Sequence, residues 1–277
     1  MIRSCETPDP PPLVGRAALV TGGAGAIGQG IALRLAAAGA RVAVADLDRA
    51  GAASVAREVA ARYGKKAAVA VRMDVTREPS VAAGIAAVLR AFGRLDVVVS
   101  NAGIAKSAPI DELDLADWER SFAVNARGHF LVAKHALIRL KRARRGGSFV
   151  FIASKNVPAP GKDFAAYSAA KAAETQLARV LAIEAAPFGI RVNILHPDGI
   201  FDGSGLWSPE TRRKRAKAWG IPVAKVEEHY RKRNLLQVKV TAEDVAEAVL
   251  FFASDASSKI TGAQLPVDGG LREAFPR

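Results

Sequence analysis

The stretch RAALVTGGAGAIG, residues 16–28, places a glycine-rich turn between an apolar run and the start of a helical pattern. The apolar run indicates a buried strand, so the turn lies at the carboxyl end of that strand. Glycines let the backbone come close to a pyrophosphate, and the N-terminus of the next helix offers N–H groups and a partial positive charge. The stretch therefore predicts the first strand, turn and helix of a nucleotide-binding α/β fold.

The glycines of this turn fit two spacings, and Gly28 belongs to both. One is G-x-G-x-x-G, with Gly23 and Gly25 as its first two glycines. The other is T-G-x-x-x-G-x-G, which starts at Thr21 and has Ala26 where a third glycine is usual. A plain tight turn is the alternative, but the strand and helix on either side favour a phosphate-binding loop.

Short apolar runs alternate with longer helical patterns along the rest of the chain. After the first turn the runs are RVAVAD, AAVAVRM, LDVVVS, SFVFIA, RVNILH and QLPV. This order predicts a parallel, doubly wound sheet with flanking helices and right-handed crossovers, a single-domain α/β Rossmann fold. We assign residues 13–277 to this domain, residues 1–12 to a disordered leader, and residues 203–240 to an insertion that forms a helical lid over the substrate.

The composition is that of a globular protein with a sizeable core, since 50% of the 277 residues are hydrophobic. A single cysteine, Cys5, excludes an intramolecular disulfide and favours a reducing compartment. There is no run of eighteen apolar residues and no apolar core of signal-peptide length. We therefore expect a cytoplasmic protein with no membrane partner.

Asp46 ends the second predicted strand, eighteen residues beyond Gly28. At that position a carboxylate can bind both ribose hydroxyls of an adenosine, and it repels a 2′-phosphate. No lysine or arginine lies in the glycine loop to offset this repulsion, so NAD is preferred to NADP. The alternative is that Asp46 caps the following helix, although Asp48 is also in a position to do so.

The stretch GSFVFIASKNVPAPGKDFAAYSAAKAAE, residues 147–174, carries three side chains suited to moving a proton. Ser154 ends a buried strand, and Tyr167 and Lys171 are four residues apart on one face of a helix. A free tyrosine has a pKa of about 10, and a fixed cation stabilises its phenolate. The set indicates alcohol/carbonyl interconversion. Asn125, inside a predicted helix, is placed to hold a water between the backbone and Lys171.

With these motifs in order, the chain resembles the short-chain dehydrogenase/reductase family from about Leu13 to Gly270. TGGAGAIG, NAG, YSAAK and VDGG occur in the family's order and approximate spacing. The resemblance implies a catalytic tetrad, a cofactor site at the strand ends, and a homotetramer or dimer formed through helices at roughly 114–141 and 164–187. The tetrad is Asn125, Ser154, Tyr167 and Lys171. The cofactor-binding residues are Gly22, Gly25, Ala26, Ile27, Gly28, Asp46, Leu47, Asp74, Val75, Asn101, Ala102, Gly103, Tyr167, Lys171, Pro197, Gly199 and Ile200.

The sequence departs from the family pattern after the sixth strand. The usual P-G-x-x-x-T appears as PDGIFD, so Asp198 follows the proline and Asp202 stands where a threonine normally meets the nicotinamide carboxamide. Local strings such as SKN, HPDG, YRKRNLL and AFPR are similar to the dehydrogenase portion of bifunctional rhamnulose-phosphate aldolase/dehydrogenase proteins, which handle lactaldehyde. This resemblance implies carbohydrate metabolism and a small sugar or hydroxyaldehyde substrate.

Substrate contacts are predicted where the strand ends and the insertion meet the nicotinamide. The predicted residues are Ser154, Asn156, His196 and Trp207. His196 has an equally good alternative as a packed, hydrogen-bonded residue at a strand end. The other histidines have no companions at ligand spacing, so no catalytic metal is expected.

The insertion, residues 203–240, carries ten lysines and arginines against three glutamates, with aromatic residues between them. Such a mixture can bind nucleic acid, but a solvated helix face is the commoner cause of a charge run. We expect the solvated face, no nucleic-acid partner, and a neutral, hydroxyl-bearing substrate. A non-catalytic dinucleotide sensor or nucleic-acid-binding protein is the alternative function, and such a protein would not need Ser154, Tyr167 and Lys171 together.

Overall fold

The computed structural model describes residues 11–203 and 205–275, and it leaves the side chain of Leu206 undescribed. Seven parallel strands form one sheet in the order β3-β2-β1-β4-β5-β6-β7. The strands are β1 (Ala17–Thr21), β2 (Arg41–Asp46), β3 (Ala68–Arg72), β4 (Val97–Ser100), β5 (Gly147–Ile152), β6 (Ile190–Pro197) and β7 (Gln264–Val267).

Helices connect the strands and cover both faces of the sheet. They are α1 (Ala26–Ala37), α2 (Arg49–Tyr63), α3 (Glu78–Phe92), α4 (Leu115–Phe122), α5 (His129–Ala143), α6 (Ala165–Ala185), α7 (Pro209–Trp219), α8 (Val226–Arg231) and α9 (Ala242–Ala253). A π-helical segment, Ala123–Gly128, joins α4 to α5. None of these helices in the described ranges is long and apolar enough to cross a bilayer.

The core has two layers, one on each side of the sheet. Helices α1, α2 and α9 pack on one face, where Ile31, Leu35 and Val249 are fully buried. Helices α3, α5 and α6 pack on the other, around Phe149 and Phe151. Because both faces are covered, the central strands are continuous apolar runs, as parallel sheets require. The prediction of a single-domain, doubly wound Rossmann fold is confirmed.

The strand order reverses between β1 and β4, because β2 and β3 lie on one side of β1 and the later strands lie beyond β4. Ligands of open α/β sheets bind in the crevice outside the carboxyl ends of the strands at such a switch point. The turns after β1, β4 and β5 meet there, so the fold brings together the motifs that the sequence separates.

The insertion after β6 contains α7 and α8 and has a small hydrophobic core of its own. The Phe201 and Trp207 rings stack with their centroids 4.1 Å apart, and Tyr230 lies edge-on to both. This aromatic cluster holds the two helices over the carboxyl edge of the sheet. The predicted leader falls almost entirely on residues 1–10, which lie outside the described residues.

Candidate active site

In the turn after β1, backbone segments approach each other so closely that there is no room for side chains at two of the glycines. Gly22 has a φ of +63°, and a Cβ built on it would lie 2.7 Å from the Cα of Ala102. A Cβ on Gly28 would lie 2.2 Å from the carbonyl oxygen of Gly22. Helix α1 begins directly after Gly25, so its free N–H groups open into a cleft of about 720 Å³. This cradle fits the pyrophosphate of a dinucleotide.

Asp46 lies at the wall of the same cleft. One carboxylate oxygen accepts a hydrogen bond from the Ala24 N–H at 3.0 Å, and the other accepts from the Asp48 N–H at 2.9 Å. Helix α2 is capped instead by Asp48, whose side chain accepts from the Ala50 N–H. The capping alternative therefore applies to Asp48, and Asp46 remains available to a ribose.

The turns after β1 and β4 are joined by hydrogen bonds from Asn101. Its side-chain amide donates to the carbonyl oxygens of Thr21 and Gly22 at 2.9 and 3.1 Å. Asp74, after β3, accepts bonds from the N–H and hydroxyl of Thr76. The Thr76 hydroxyl is the main reason that the pKa of Asp74 is lowered, so this carboxylate is ionised at the cleft edge.

Ser154 and Tyr167 face the cleft from β5 and α6. Ser154 follows the end of β5, and its Oγ accepts from the Asn156 N–H at 3.2 Å. Tyr167 lies in the first turn of α6, where the Phe164 ring packs edge-on against it with centroids 6.1 Å apart. A hydroxyl and a phenol therefore border the cavity that contains the glycine cradle.

Lys171 is buried and holds two partners. Its Nζ donates to the carbonyl oxygen of Ile152 and to a carboxylate oxygen of Glu174, each at 2.7 Å. Burial raises the pKa of Glu174 to about 7, with Lys171 acting in the opposite direction. The other carboxylate oxygen is 3.3 Å from Nδ1 of His129. The pKa of His129 is held well below its usual value, first by burial and then by Lys171, so the imidazole is neutral.

Glu174 was not among the residues predicted from sequence. It lies three residues after Lys171 and seven after Tyr167, so the helical period already places all three on one face of α6. That spacing was the available signal. The acid at this position accepts a hydrogen bond from Lys171.

Asn125 lies inside the π-helical segment and is fully buried. Its Oδ1 accepts from the Ile104 N–H at 2.9 Å, and its Nδ2 donates to the Ile104 carbonyl oxygen at 2.8 Å and to the Ser121 hydroxyl at 3.1 Å. The side chain therefore fixes the loop after β4, whose residue Ile104 lines the cleft. A water-holding role for Asn125 stays a prediction.

His196 and Asp202, like Asn125, do not line the cavity. His196 is 3% exposed, and its ring nitrogens lie 2.9 Å from the Ser154 carbonyl oxygen and 2.9 Å from Oε1 of Gln264. With both nitrogens engaged and the residue outside the cleft lining, the geometry favours the alternative of a packed, hydrogen-bonded strand-end residue. Asp202 pairs with Lys239 at 2.9 Å on the outside of the insertion, whereas Asp198 lines the cleft.

The cleft gathers all the predicted site residues other than Asn125 and His196. Its lining includes Gly22, Gly25, Ala26, Ile27, Gly28, Asp46, Leu47, Asp74, Val75, Asn101, Ala102, Gly103, Ser154, Asn156, Tyr167, Lys171, Pro197, Gly199, Ile200 and Trp207.

The basic residues of the insertion are divided between two surfaces. Arg213 and Lys214 are exposed on α7, as a solvated face requires, and Lys214 pairs with Glu210 at 3.0 Å. Arg215, on the same helix, is only 8% exposed and points inward. Its guanidinium lies over the Phe164 ring at 4.6 Å. The expectation of a wholly solvated charge run is therefore wrong at Arg215, because this side chain packs against the loop before α6.

The fold and the cleft define the class of protein: a Rossmann-fold nucleotide-binding protein with serine, tyrosine and lysine at the switch point. Residues 22–272 match a family model described as Enoyl-(Acyl carrier protein) reductase. The chain belongs to the short-chain dehydrogenase/reductase family, as the sequence motifs indicated.

Individual relatives agree with this assignment. The Uncharacterized oxidoreductase YuxG of Bacillus subtilis is 48% identical over 95% of this chain, which spans 38% of the length of YuxG. The D-threitol dehydrogenase of Mycolicibacterium smegmatis is 35% identical, and 93% of each chain is covered. The crystal structure of 3-ketoacyl-(acyl-carrier-protein) reductase from Brucella melitensis complexed with NADH matches with a TM-score of 0.82 at 32% identity, covering 95% of this chain and all of the other.

Proposed function

We propose that this protein is an NAD-dependent oxidoreductase that interconverts a secondary alcohol, or a small hydroxyaldehyde or sugar, and its oxidised product. One observation carries the proposal: Ser154, Tyr167 and Lys171 border the cavity that also contains the glycine cradle and Asp46. A protein that only sensed a dinucleotide would have no use for a phenol beside a buried lysine at that point.

NAD, when bound, supplies the acceptor for the hydride that leaves the alcohol carbon. The chain supplies the rest of the chemistry. The glycine cradle and the N-terminus of α1 hold the pyrophosphate, and Ser154 donates a hydrogen bond to the substrate oxygen. The Tyr167 phenolate takes the hydroxyl proton, and Lys171 stabilises that phenolate by its charge. Asn125 keeps the loop at Ile104 in place beside them.

Asp46 supports NAD over NADP. Its carboxylate lies at the cleft wall, fixed by the Ala24 and Asp48 N–H groups, where it favours ribose hydroxyls and repels a 2′-phosphate. The related Brucella melitensis enzyme has NADH bound in its crystal structure.

The substrate is proposed to be a small hydroxylated compound of carbohydrate metabolism. The D-threitol dehydrogenase relative acts on a polyol, and the resemblance to the dehydrogenase portion of rhamnulose-phosphate aldolase/dehydrogenase proteins adds hydroxyaldehydes. We further propose a cytoplasmic homotetramer or dimer formed through α5 and α6, which leave Phe130 and Ile183 46% and 77% exposed on the single chain.

The test is a screen of polyols, sugars and hydroxyaldehydes, following NADH absorbance with the wild type and Tyr167→Phe. We expect the substitution to abolish turnover while the affinity for NAD stays within a few-fold, since it removes the acid/base hydroxyl and leaves the other residues of the predicted cofactor site in place. Tyr63→Phe is the matched control, because Tyr63 is 42% exposed at the end of α2. Retention of most of the wild-type kcat in Tyr167→Phe refutes the mechanism.

A further inference from the structure

A second cavity of about 730 Å³ opens beside the nucleotide cleft, and we call it the side chamber. Lys155, Phe164 and Tyr230 line both the chamber and the cleft, so the two spaces adjoin. Lys155 directly follows Ser154 in the chain. The chamber therefore begins next to the position proposed for the reacting carbon, and none of its lining residues comes from the glycine loop.

The chamber has an excess of positive charge. Its lining contains four cationic side chains and a single carboxylate, that of the exposed Glu273. The four cations are Lys155, Lys162, Arg215 and Arg233. One further acid, Asp198, reaches the region from the cleft side. Burial raises the pKa of Asp198, while Lys155 and then Arg233 act to lower it.

Three of these cations have no ion pair in the described part of the chain: Lys155, Arg233 and the exposed Lys162. Lys155 is 7% exposed, and its Nζ donates only to the Ala159 carbonyl oxygen at 3.2 Å. Arg233 lies over the Tyr230 ring at 4.3 Å and has no carboxylate within 4.0 Å among the described residues. Arg215 has one distant acid, Asp163 at 3.7 Å, and donates to the Lys162 carbonyl oxygen at 3.0 Å.

Charges removed from water are costly unless they are paired. Burial of Lys155 with one carbonyl oxygen as its hydrogen-bond partner therefore lowers the stability of the folded protein. Binding of an anion offsets this loss. The packing of Arg215 on Phe164 and of Arg233 on Tyr230 holds both guanidinium groups in fixed positions before binding. Planar guanidinium groups match the oxygens of carboxylates and phosphates.

We propose that the side chamber is a subsite for an anionic group of the substrate, a carboxylate or a phosphate monoester at the end opposite the reacting hydroxyl. This inference rests on the proposed function and names the substrate class within it. It replaces the neutral substrate that the sequence suggested, because the sequence does not show that Arg215 points inward. Lys155, Arg215 and Arg233 bind the anion, and Tyr167 meets the hydroxyl.

The kinetic test uses matched pairs of secondary alcohols of three to six carbons. In one series butan-2-ol and its homologues are compared with 3-hydroxybutyrate and longer hydroxy acids. In the other, propane-1,2-diol and longer polyols are compared with their phosphate monoesters. We expect the anionic member to exceed its neutral partner at least tenfold in kcat/KM in one series, and the series that does so identifies the anion.

Variants of the chamber residues then test which side chains bind the anionic group. Arg233→Met is expected to lower the anion-to-neutral ratio of kcat/KM about tenfold, as loss of a hydrogen bond to a charged group predicts. Arg213→Met is the control, because Arg213 is exposed two residues before Arg215 on α7, and it leaves the ratio unchanged. Arg215→Met serves as the second variant if Arg233→Met does not fold. Turnover of neutral alcohols with no preference in either series, or an unchanged ratio in both variants, overturns the subsite.

Calorimetry separates failure of the subsite from failure of the proposed function. The same hydroxy acids and phosphate monoesters are titrated into the NAD-saturated protein and into Arg233→Met. Binding that Arg233→Met weakens about tenfold, without turnover of any alcohol, supports the subsite and refutes the oxidoreductase. Absence of measurable binding in both series overturns the subsite, whatever the turnover of neutral alcohols.

Discussion

Glu174→Gln is the substitution that most directly tests the proposed stabilisation of the Tyr167 phenolate by Lys171. The glutamine keeps the size of the side chain and an oxygen that accepts from Lys171 Nζ, which Glu174 now bonds at 2.7 Å. The substitution removes the negative charge that partly neutralises the Lys171 ammonium. Lys171 also retains its bond to the Ile152 carbonyl oxygen at 2.7 Å, so the ammonium stays in place.

The size of the effect follows from helix geometry. Tyr167 and Glu174 are seven residues apart on α6, which corresponds to about 10 Å along the axis. Two unit charges at that distance interact by roughly 1.7 kcal/mol at an effective dielectric constant near 20. An ionised carboxylate disfavours the phenolate, so its removal favours the phenolate by that energy, which corresponds to about one pH unit. The effect appears above pH 7, because the pKa of Glu174 is about 7.

The assay is the pH profile of kcat/KM for alcohol oxidation, with Glu184→Gln as the control. Glu184 is exposed on the same helix, so its loss changes net charge equally without touching Lys171. The rising limb of the Glu174→Gln profile should move about one pH unit lower, and that of Glu184→Gln should coincide with the wild type. A limb that stays in place or moves to higher pH refutes the reasoning.

The pH dependence of the free energy of unfolding tests Glu174 independently of the kinetics. The pKa of Glu174 is raised from 4.5 to about 7 in the folded chain, so the folded state binds more protons than the unfolded state between these values. The free energy of unfolding of the wild type therefore falls as pH rises from 4.5 to 7, by on the order of 3 kcal/mol. Glu174→Gln lacks this decline. A merely structural Glu174 changes the stability curve and leaves the kinetic limb unmoved.

Two further predictions concern the cofactor. In the wild type NAD exceeds NADP in kcat/KM, and Asp46→Ala narrows the gap because the repulsion of the 2′-phosphate is lost; equal use of both cofactors by the wild type contradicts this role. Gly28→Ala destabilises the fold by about 1–3 kcal/mol and weakens NAD binding, because its Cβ would lie 2.2 Å from the Gly22 carbonyl oxygen. Thermal unfolding and NAD titration measure both effects, with Gly205→Ala as the unfolding control, since a Cβ there meets nothing within 4 Å. A Gly28→Ala protein with wild-type stability and affinity shows that the turn relaxes easily.

The scaffold was predictable because its signals are local. Parallel strands covered on both faces are unbroken apolar runs, and each run in the sequence corresponds to a strand of the sheet. Helix α9 begins at Ala242, and Thr241 and Asp244, three residues apart in the chain, form a capping box at its N-terminus. Polar residues at the carboxyl ends of strands meet wherever such a sheet forms, which is why the cleft could be predicted from motifs far apart in the chain.

Residues whose roles depend on distant packing were harder to place. His196 ends β6 beside the cleft, yet its ring is turned to Gln264, which lies 68 residues later in the chain and pairs it at 2.9 Å. Nothing near His196 in the sequence indicates that partner. Glu174 is the opposite case. Its spacing from Tyr167 and Lys171 on α6 can be read from the sequence, but the burial that raises its pKa cannot.

The proposed catalytic residues could be predicted from local sequence, whereas the residues proposed to select the substrate could not. Helix α7 contains the run RRKRAK, residues 212–217, in which five of six side chains are cationic, so no apolar stripe marks an inner face. The aromatic cluster of the insertion sets the rotation of α7 about its own axis. Arg215 consequently lies over the Phe164 ring, which belongs to the loop before α6. A one-residue shift of that helix would expose Arg215 and bury a neighbouring cation in a different position. The proposed hydride transfer therefore depends on a scaffold that the sequence encodes locally, whereas the proposed anion subsite depends on how one short helix docks.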